Sequence, residues 1–305
     1  MICFPHCINK YWILLVLLIG MSCRKLVQDE FSYYPQLPVV NCILKTDSAI
    51  LVHVSLTDKI GKNEVPVVNN AEVSLYIDEE FIETLSFTHN GLYRSSNQVF
   101  PDHKYSINVR IPGLEPAEAS TFITSPPVIT EINHSAYAGR DEEGYIYSSI
   151  TFTFIDDPEQ DDYYRALIAY GGTADEFLYI TDPVLLNEGL PLTIFSDELI
   201  EDGQYTMTLN YRNNESRTIT DQPDHTFSPI VFELQSISYD YYEYLKHLYL
   251  YETGRYPSIL GGVVTTSQLY SNVNNGFGIV GGYSSTLTDT IFPGPLTNKI
   301  GNESK

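Results

Sequence analysis

At 305 residues the chain is too long for one minimal domain and suits one large or two ordinary ones. Hydrophobic content of 43% against 18% charged supplies a core and excludes a disordered chain. The 17 Lys and Arg face 39 Asp and Glu, a net charge of -22. That argues against nucleic acid as a partner and against docking on anionic headgroups, both of which are held by cationic side chains.

Residues 1–22 read as an export signal. Lys10 gives a positive start, and Tyr11 to Met21 is an uncharged apolar run. A helix across a membrane core needs roughly 20 residues, so this run suits a signal segment instead. It ends at Gly20-Met21-Ser22-Cys23, a small-residue approach to a cysteine like that of a bacterial lipobox. Cleavage between Ser22 and Cys23, with acylation of the Cys23 thiol, would leave residues 23–35 as a short tether. Each buried methylene adds about 0.8 kcal/mol of membrane binding, and two or more chains anchor firmly. Cysteine usage agrees. Cys3 and Cys7 fall in the removed segment, and Cys42 then has no partner; it sits in an apolar strand pattern as a small buried hydrophobe.

The body reads as strands. Ala49 to Thr57 places Ile50, Val52, Val54 and Leu56 on one face. Ala71 to Ile77 and Lys104 to Ile111 alternate in the same way, with turn signals at Asn69-Asn70, Asn90-Gly91, Pro101-Asp102 and Pro112-Gly113. Short strands at this spacing predict a β-sandwich over residues 36–125. Ser125-Pro126-Pro127 marks a boundary. A second β-rich block, 126–290, begins with strands at Tyr145 to Ile155, Asp162 to Tyr170 and Thr226 to Leu234. Asn187 to Asp224 is polar and irregular, and no structure is assigned to it. Ser236 to Glu252 repeats apolar residues at helical spacing, with Ser238 as N-cap, Asp240 in the first turn and Gly254 as the stop. Gly276 to Thr286 reads as a closing strand, and 291–305 as a tail. The expected fold is mainly β, two sandwich-like domains with one helix.

These landmarks, in this order, resemble the Bacteroidota lipoprotein family called domain of unknown function 4249. They are Cys23 with a tether and the pair Val39 to Leu44 and Leu51 to Leu56; Val68 to Leu75; Asn90-Gly91-Leu92-Tyr93; Tyr105 to Val109; Phe152 to Pro158 with Tyr163-Tyr164-Arg165; the helix; and Ser271 to Ile279. The first half also resembles transthyretin-like and carboxypeptidase-regulatory-like sandwiches. The resemblance implies an outer-membrane lipoprotein on the periplasmic or cell-surface face, associated with a TonB-dependent transporter. It carries over no activity and no catalytic residue.

The chemistry-bearing patterns are few. Gly276-Phe277-Gly278-Ile279-Val280-Gly281 spells G-x-G-x-x-G, but no helix follows it, so it reads as a Gly-rich strand in close packing. The acidic run Asp156-Asp157-Pro158-Glu159-Gln160-Asp161-Asp162 could collect a metal ion through Asp156, Asp157, Asp161 and Asp162. It lacks a calcium-loop pattern and reads as a solvated turn. His53, His89, His103, His134, His225 and His247 show no metal spacing. The chain holds 24 Tyr, and Tyr241, Tyr242, Tyr244, Tyr249 and Tyr251 cluster on the predicted helix. Most read as packing, while Tyr241, Tyr242 and Tyr249 are candidate binding aromatics.

The expectation is a non-enzymatic accessory or ligand-capture subunit of a TonB-dependent uptake system, without cofactor or nucleic acid and with an unknown ligand. The competing expectations are a free-standing carbohydrate-binding or adhesive module, which the aromatics motivate, and an enzyme whose site is dispersed along the sequence. A cavity with converging titratable groups would favour the last.

Overall fold

The period-two stretches become strands because each can turn one row of side chains into a core and the other to water. The computed structural model describes residues 35–58, 65–142, 144, 146–170, 173–175, 180–211, 229–254 and 267–292. Residues 1–34, which hold the expected signal segment, Ser22, Cys23 and most of the expected tether, and residues 293–305 of the expected tail lie outside these. A compact unit runs from Gln36 onward.

The first half contributes β1 (Pro38–Lys45), β2 (Ala49–Leu56), β3 (Glu72–Ile77), β4 (Glu80–Thr84), β5 (Ser86–His89), β6 (Leu92–Gln98), β7 (His103–Arg110) and β8 (Ala117–Ile123). The second contributes β9 (Val128–Arg140), β10 (Ile146–Ile155), β11 (Tyr163–Tyr170), β12 (Thr173–Asp175), α1 (Pro183–Asn187), β13 (Ile194–Ser196), β14 (Gln204–Tyr211), β15 (Ile230–Ile237), α2 (Tyr239–Gly254) and β16 (Phe277–Leu287). The fold is mainly β, with three sheets. A nine-stranded sheet runs in the order β12-β11-β15-β16-β1-β2-β6-β5, with β13 paired to β11. The order of the four-stranded sheet is β4-β3-β7-β8, and that of the three-stranded sheet β14-β10-β9.

Two large hydrophobic cores form, with a smaller cluster of Ile194, Ile237 and Tyr242 beneath the long helix. One joins β1, β2 and β6 to β3, β7 and β8 through residues such as Val52, Leu75, Tyr93 and Ile107. The other joins β10 and β14 to β11 and β15, with Phe152 and Phe232 rings 4.5 Å apart. Each fully buried side chain of this kind contributes about 1.5–3 kcal/mol. Exposed ion pairs such as Arg110–Glu72, at 3.7 Å, contribute at most about 1 kcal/mol, so the cores hold the fold.

β16 is where the two halves meet. It pairs parallel with β1, from Val39 opposite Phe277 to Lys45 opposite Tyr283. On its other side it pairs antiparallel with β15. One long sheet therefore passes through both halves, with the closing strand at its centre. The glycines explain how it fits. Gly278 has φ +114°, and a Cβ there would lie 2.0 Å from the Val40 carbonyl oxygen. A Cβ on Gly281 would meet the Tyr241 Cβ at 3.0 Å, so its absence lets α2 rest on the strand. The G-x-G-x-x-G stretch is thus close packing within a sheet.

Several boundaries differ from the sequence reading. β15 runs from Ile230, after Pro229; Thr226 to Ser228, where the sequence reading starts this strand, lie outside the described residues. The helix starts at Tyr239 because Ile237 stays in β15 and Ser238 caps: its Oγ accepts from Tyr241 N at 3.3 Å. The unassigned span, Asn187 to Asp224, holds β13 and β14 and begins at the last residue of α1. β14 buries Met207, Leu209 and Tyr211 alternately, while Thr206 and Thr208 bond across to Thr153 and Thr151. Among the described residues no helix is long and apolar enough to cross a membrane.

Gly278→Ala combines an unfavourable φ with a backbone clash. It should destabilise the protein by roughly 2–4 kcal/mol, read as a lower midpoint in urea unfolding.

Candidate functional site

The acidic run forms a turn after β10, and the turn borders a cavity of about 250 Å³. Asp157 shapes the turn: its Oδ1 accepts from Glu159 N at 3.1 Å and its Oδ2 from Gln160 Nε2 at 3.0 Å. Asp156, one residue earlier, points the other way. It is 4% exposed, and its Oδ1 accepts from the Tyr164 hydroxyl at 2.8 Å. Its Oδ2 is shielded from solvent and receives no hydrogen bond. Asp162 leads into β11, and its N–H donates to Asp197 Oδ2 at 2.8 Å.

The opposite wall comes from the first half. Asp102, in a left-handed turn before β7, accepts from Ser125 Oγ at 2.7 Å. Thr124 Oγ1 and Ser236 Oγ lie 2.5 Å apart, tying the β8 exit to β15. Pro126, Pro127, Val128 and Ile155 supply the apolar surface. The cavity thus sits beside the junction at Ser125.

Its carboxylates crowd one another, and no described Lys, Arg or His lines it. Burial pushes Asp156 upward; the Tyr164 hydroxyl partly offsets this, and the charges of Asp197 and Asp157 add to it. Burial, then the charges of Asp156, Asp197, Asp157 and Asp161, push Asp162 up to about 6. Asp197 is also raised, chiefly by burial. Among the described residues no three His, Cys, Asp or Glu side chains are arranged to hold a metal ion. Asp156, Asp157 and Asp162 meet at the cavity, whereas Asp161 stands exposed outside it.

A second cluster joins α1 to α2. Glu188 accepts from Ser196 N at 2.8 Å, from Lys246 Nζ at 3.0 Å and from the Tyr242 hydroxyl. Burial works against its charge, yet the Tyr242 hydroxyl, Ser196 and Lys246 outweigh burial and hold it below the ordinary carboxylate range. Lys246 also sits 4.6 Å over the Tyr242 ring. The group is satisfied from within and acts as a staple for the helix.

The helix aromatics are correspondingly placed. Tyr242 is buried, so its ring belongs to the core rather than to an open platform. Tyr241 stacks on Tyr283 and its hydroxyl accepts from Arg165 Nη1 at 3.4 Å. Tyr249 is half-buried on the helix. His134 meets the Tyr211 hydroxyl at 2.7 Å, and burial lowers its pKa. Cys42 is buried, and burial alone pushes its thiol up to about 12. Sequence reasoning missed Asp102, Thr124, Ser125, Asp197 and Ser236. Thr124 and Ser236 are 112 positions apart, and no local spacing signals such a pair.

A family model described as "Domain of unknown function (DUF4249)" matches residues 25–289. No curated protein matches the chain. A crystal structure of a protein from Corynebacterium diphtheriae, inferred to be membrane-anchored, is similar at 8% identity and a TM-score of 0.22. The match covers 68% of this chain and 56% of that protein, and a likeness at this level carries no argument.

Asp162 supplies a stability prediction. Its folded pKa, about 6, lies above the ordinary value near 3.9, so the unfolded state loses this proton first. The charge therefore costs stability as pH rises from about 4 to about 6, and the cost is complete above that window. Asp162→Asn should raise the melting temperature at pH 7.5, by the equivalent of roughly 1–2 kcal/mol after solvent screening, and leave it unchanged at pH 4.

Proposed function

The chain belongs to the DUF4249 family, and from that premise we propose that it is a lipid-anchored, non-enzymatic ligand-capture subunit of an outer-membrane uptake system served by a TonB-dependent transporter. The observation that carries the anchoring is Gly20-Met21-Ser22-Cys23 at the end of an apolar run. The family match begins at residue 25 and the compact unit at Gln36, which leaves room for a short tether after Cys23. The acidic cavity supports capture: it is small, borders the junction of two cores and is lined by polar groups on one side and apolar groups on the other. With membrane binding assigned to lipid, an acidic body is no obstacle and favours solubility.

A second reading draws on the same cavity. Crowded carboxylates with raised pKa values are also the arrangement of acid–base catalysis, so an enzyme with a dispersed site is the alternative. Turnover of a small substrate, abolished by Asp156→Asn, would establish it over capture.

The test is isolation at native expression in detergent. A transporter barrel should co-purify with the protein. Recovery only as a lone monomer would overturn the accessory role. Separately, Cys23→Ala should abolish acyl labelling and leave the precursor uncut; processing at the same site in that variant would refute lipidation.

A further inference from the structure

We infer that the end of the first half where the chain enters the body is a membrane-contact rim, an apolar edge that rests on the lipid surface to which the protein is anchored. This goes beyond the capture reading and rests on its lipid anchor at Cys23.

Three neighbouring segments form the rim beside the end of β2. Leu37 leads into β1 and is tied to Thr57: its N–H donates to Thr57 Oγ1 and its carbonyl accepts from Thr57 N, both at 2.9 Å. β16 starts on the other side of β1, with Phe277 opposite Val39. Val65 to Val68 lies along β2, where Leu56 N donates to the Pro66 carbonyl at 2.9 Å and Ser55 is bridged to Val67. Each segment leaves apolar side chains in the open: Leu37 is 36% exposed, Val65 65%, Val67 39% and Phe277 43%. Single exposed apolar residues are ordinary, but four on adjacent segments at one edge form a patch that asks for a cover.

Three features make that cover a lipid surface. The first is the route of the chain. Leu37 follows Cys23 by 14 residues, which span about 50 Å at full stretch. A lipid at Cys23 therefore holds this edge within reach of the bilayer, and a tethered surface needs only a weak contact of its own. The second is charge. The chain carries a net charge of -22, yet Lys59 and Lys62 offset Asp58 and Glu64 in the connection after β2, and Arg110 pairs with Glu72 at 3.7 Å. This edge does not share the acidic surplus that headgroups repel. The third is the placement of the second half. β15 pairs only with the far part of β16, from Ile237 opposite Tyr283 to Glu233 opposite Leu287. Ser236 at the cavity is opposite Ser284, about 23 Å along the strand from Phe277 at 3.3 Å per residue. Contact through the rim thus keeps the cavity clear of the bilayer.

The test is fluorescence quenching in phosphatidylcholine vesicles whose acyl chains carry bromine. A thiol-reactive fluorophore is placed at Phe277→Cys or at Leu287→Cys, exposed positions about 33 Å apart on the same strand. Cys42 is buried, so the introduced thiol takes the label. Each variant is presented in two ways: as the acylated full chain, and as the chain from Arg24 onward held on nickel-chelating lipid by a hexahistidine tag in front of it. Quenching should be roughly threefold or more stronger at position 277 than at 287 in both presentations, and should persist in high salt. Val65→Glu with Val67→Glu should bring it down to the level at 287, with thermal melting confirming the fold. The proposal is overturned by equal quenching at the two positions, by its absence at both (which would give the edge to a protein partner), by its loss in high salt, or by indifference to the glutamate pair. Vesicle flotation of the acylated chain reads the anchor separately. If flotation fails, the anchor falls and the nickel-lipid presentation still decides the rim; if flotation succeeds without quenching at 277, the rim falls and the anchor stands.

Discussion

The architecture depends on one strand pairing, the parallel register of β16 against β1. Without it the long sheet would be two short sheets with exposed edges at β1 and β16. The pairing brings together residues at opposite ends of the body, Val39 with Phe277 and Lys45 with Tyr283. It closes a loop of more than two hundred residues, so the final sheet forms only after a large entropic cost has been met. Ser238 shows how local and global structure are made to agree. Its Oγ caps α2 through Tyr241 N and accepts from Gly282 N at 3.1 Å, while its own N–H donates to the Gly282 carbonyl at 2.9 Å. One serine therefore starts the helix and locks the helix base to the central strand.

The charge imbalance and the tyrosine excess are connected. With 39 acidic residues and 17 basic ones, most carboxylates cannot find a cation. A buried carboxylate still needs donors, and a phenol supplies one together with an apolar ring and no charge. The described tyrosines are used this way repeatedly. Tyr164 serves Asp156, Tyr205 serves Asp182, Tyr270 serves Asp240 and Tyr242 serves Glu188. Others hold backbone: Tyr93 donates to the Val68 carbonyl and accepts from Ala71 N, and Tyr105 does the same with Phe100. Burial raises the pKa of these phenols, which keeps them protonated as donors. Tyrosine here replaces lysine and arginine as the partner of acids.

Legibility in the sequence followed the range of the interaction concerned. Strands such as β2, β3, β7 and β10 show their alternation within eight or ten residues, and the strand period alone finds them. The helix was legible through Ser238 and Asp240, and the glycine-rich strand through what did not follow it. β14 was missed because Thr206, Thr208 and Asn210 make its outer face read as loop, although its inner face alternates correctly. The cavity was visible only as half of itself. Asp156, Asp157 and Asp162 stand together in the chain, but the turn reading left out that Asp156 folds inward. The far wall, Asp102, Thr124 and Ser125, comes from the other half and meets it only once β15 and β16 are paired.

That dependence explains where the cavity is. A sheet that continues from one sandwich into another must cross a place where the covering layers do not meet, since the four-stranded and three-stranded sheets are separate. The residues at this crossing are polar where the flanking faces are apolar: Tyr164, Ser236 and Ser284 lie in register across three strands, with Thr121, Thr124 and Pro127 above. Some of these are imperfectly paired. Ser284 Oγ and Thr121 Oγ1 are buried without hydrogen bonds, as Asp156 Oδ2 is. Apolar residues would seal such a seam at lower free energy, because unpaired buried polar atoms and crowded carboxylates both oppose folding. The cores on either side are stable enough to carry that cost, so the seam keeps polar groups that are shut off both from water and from partners.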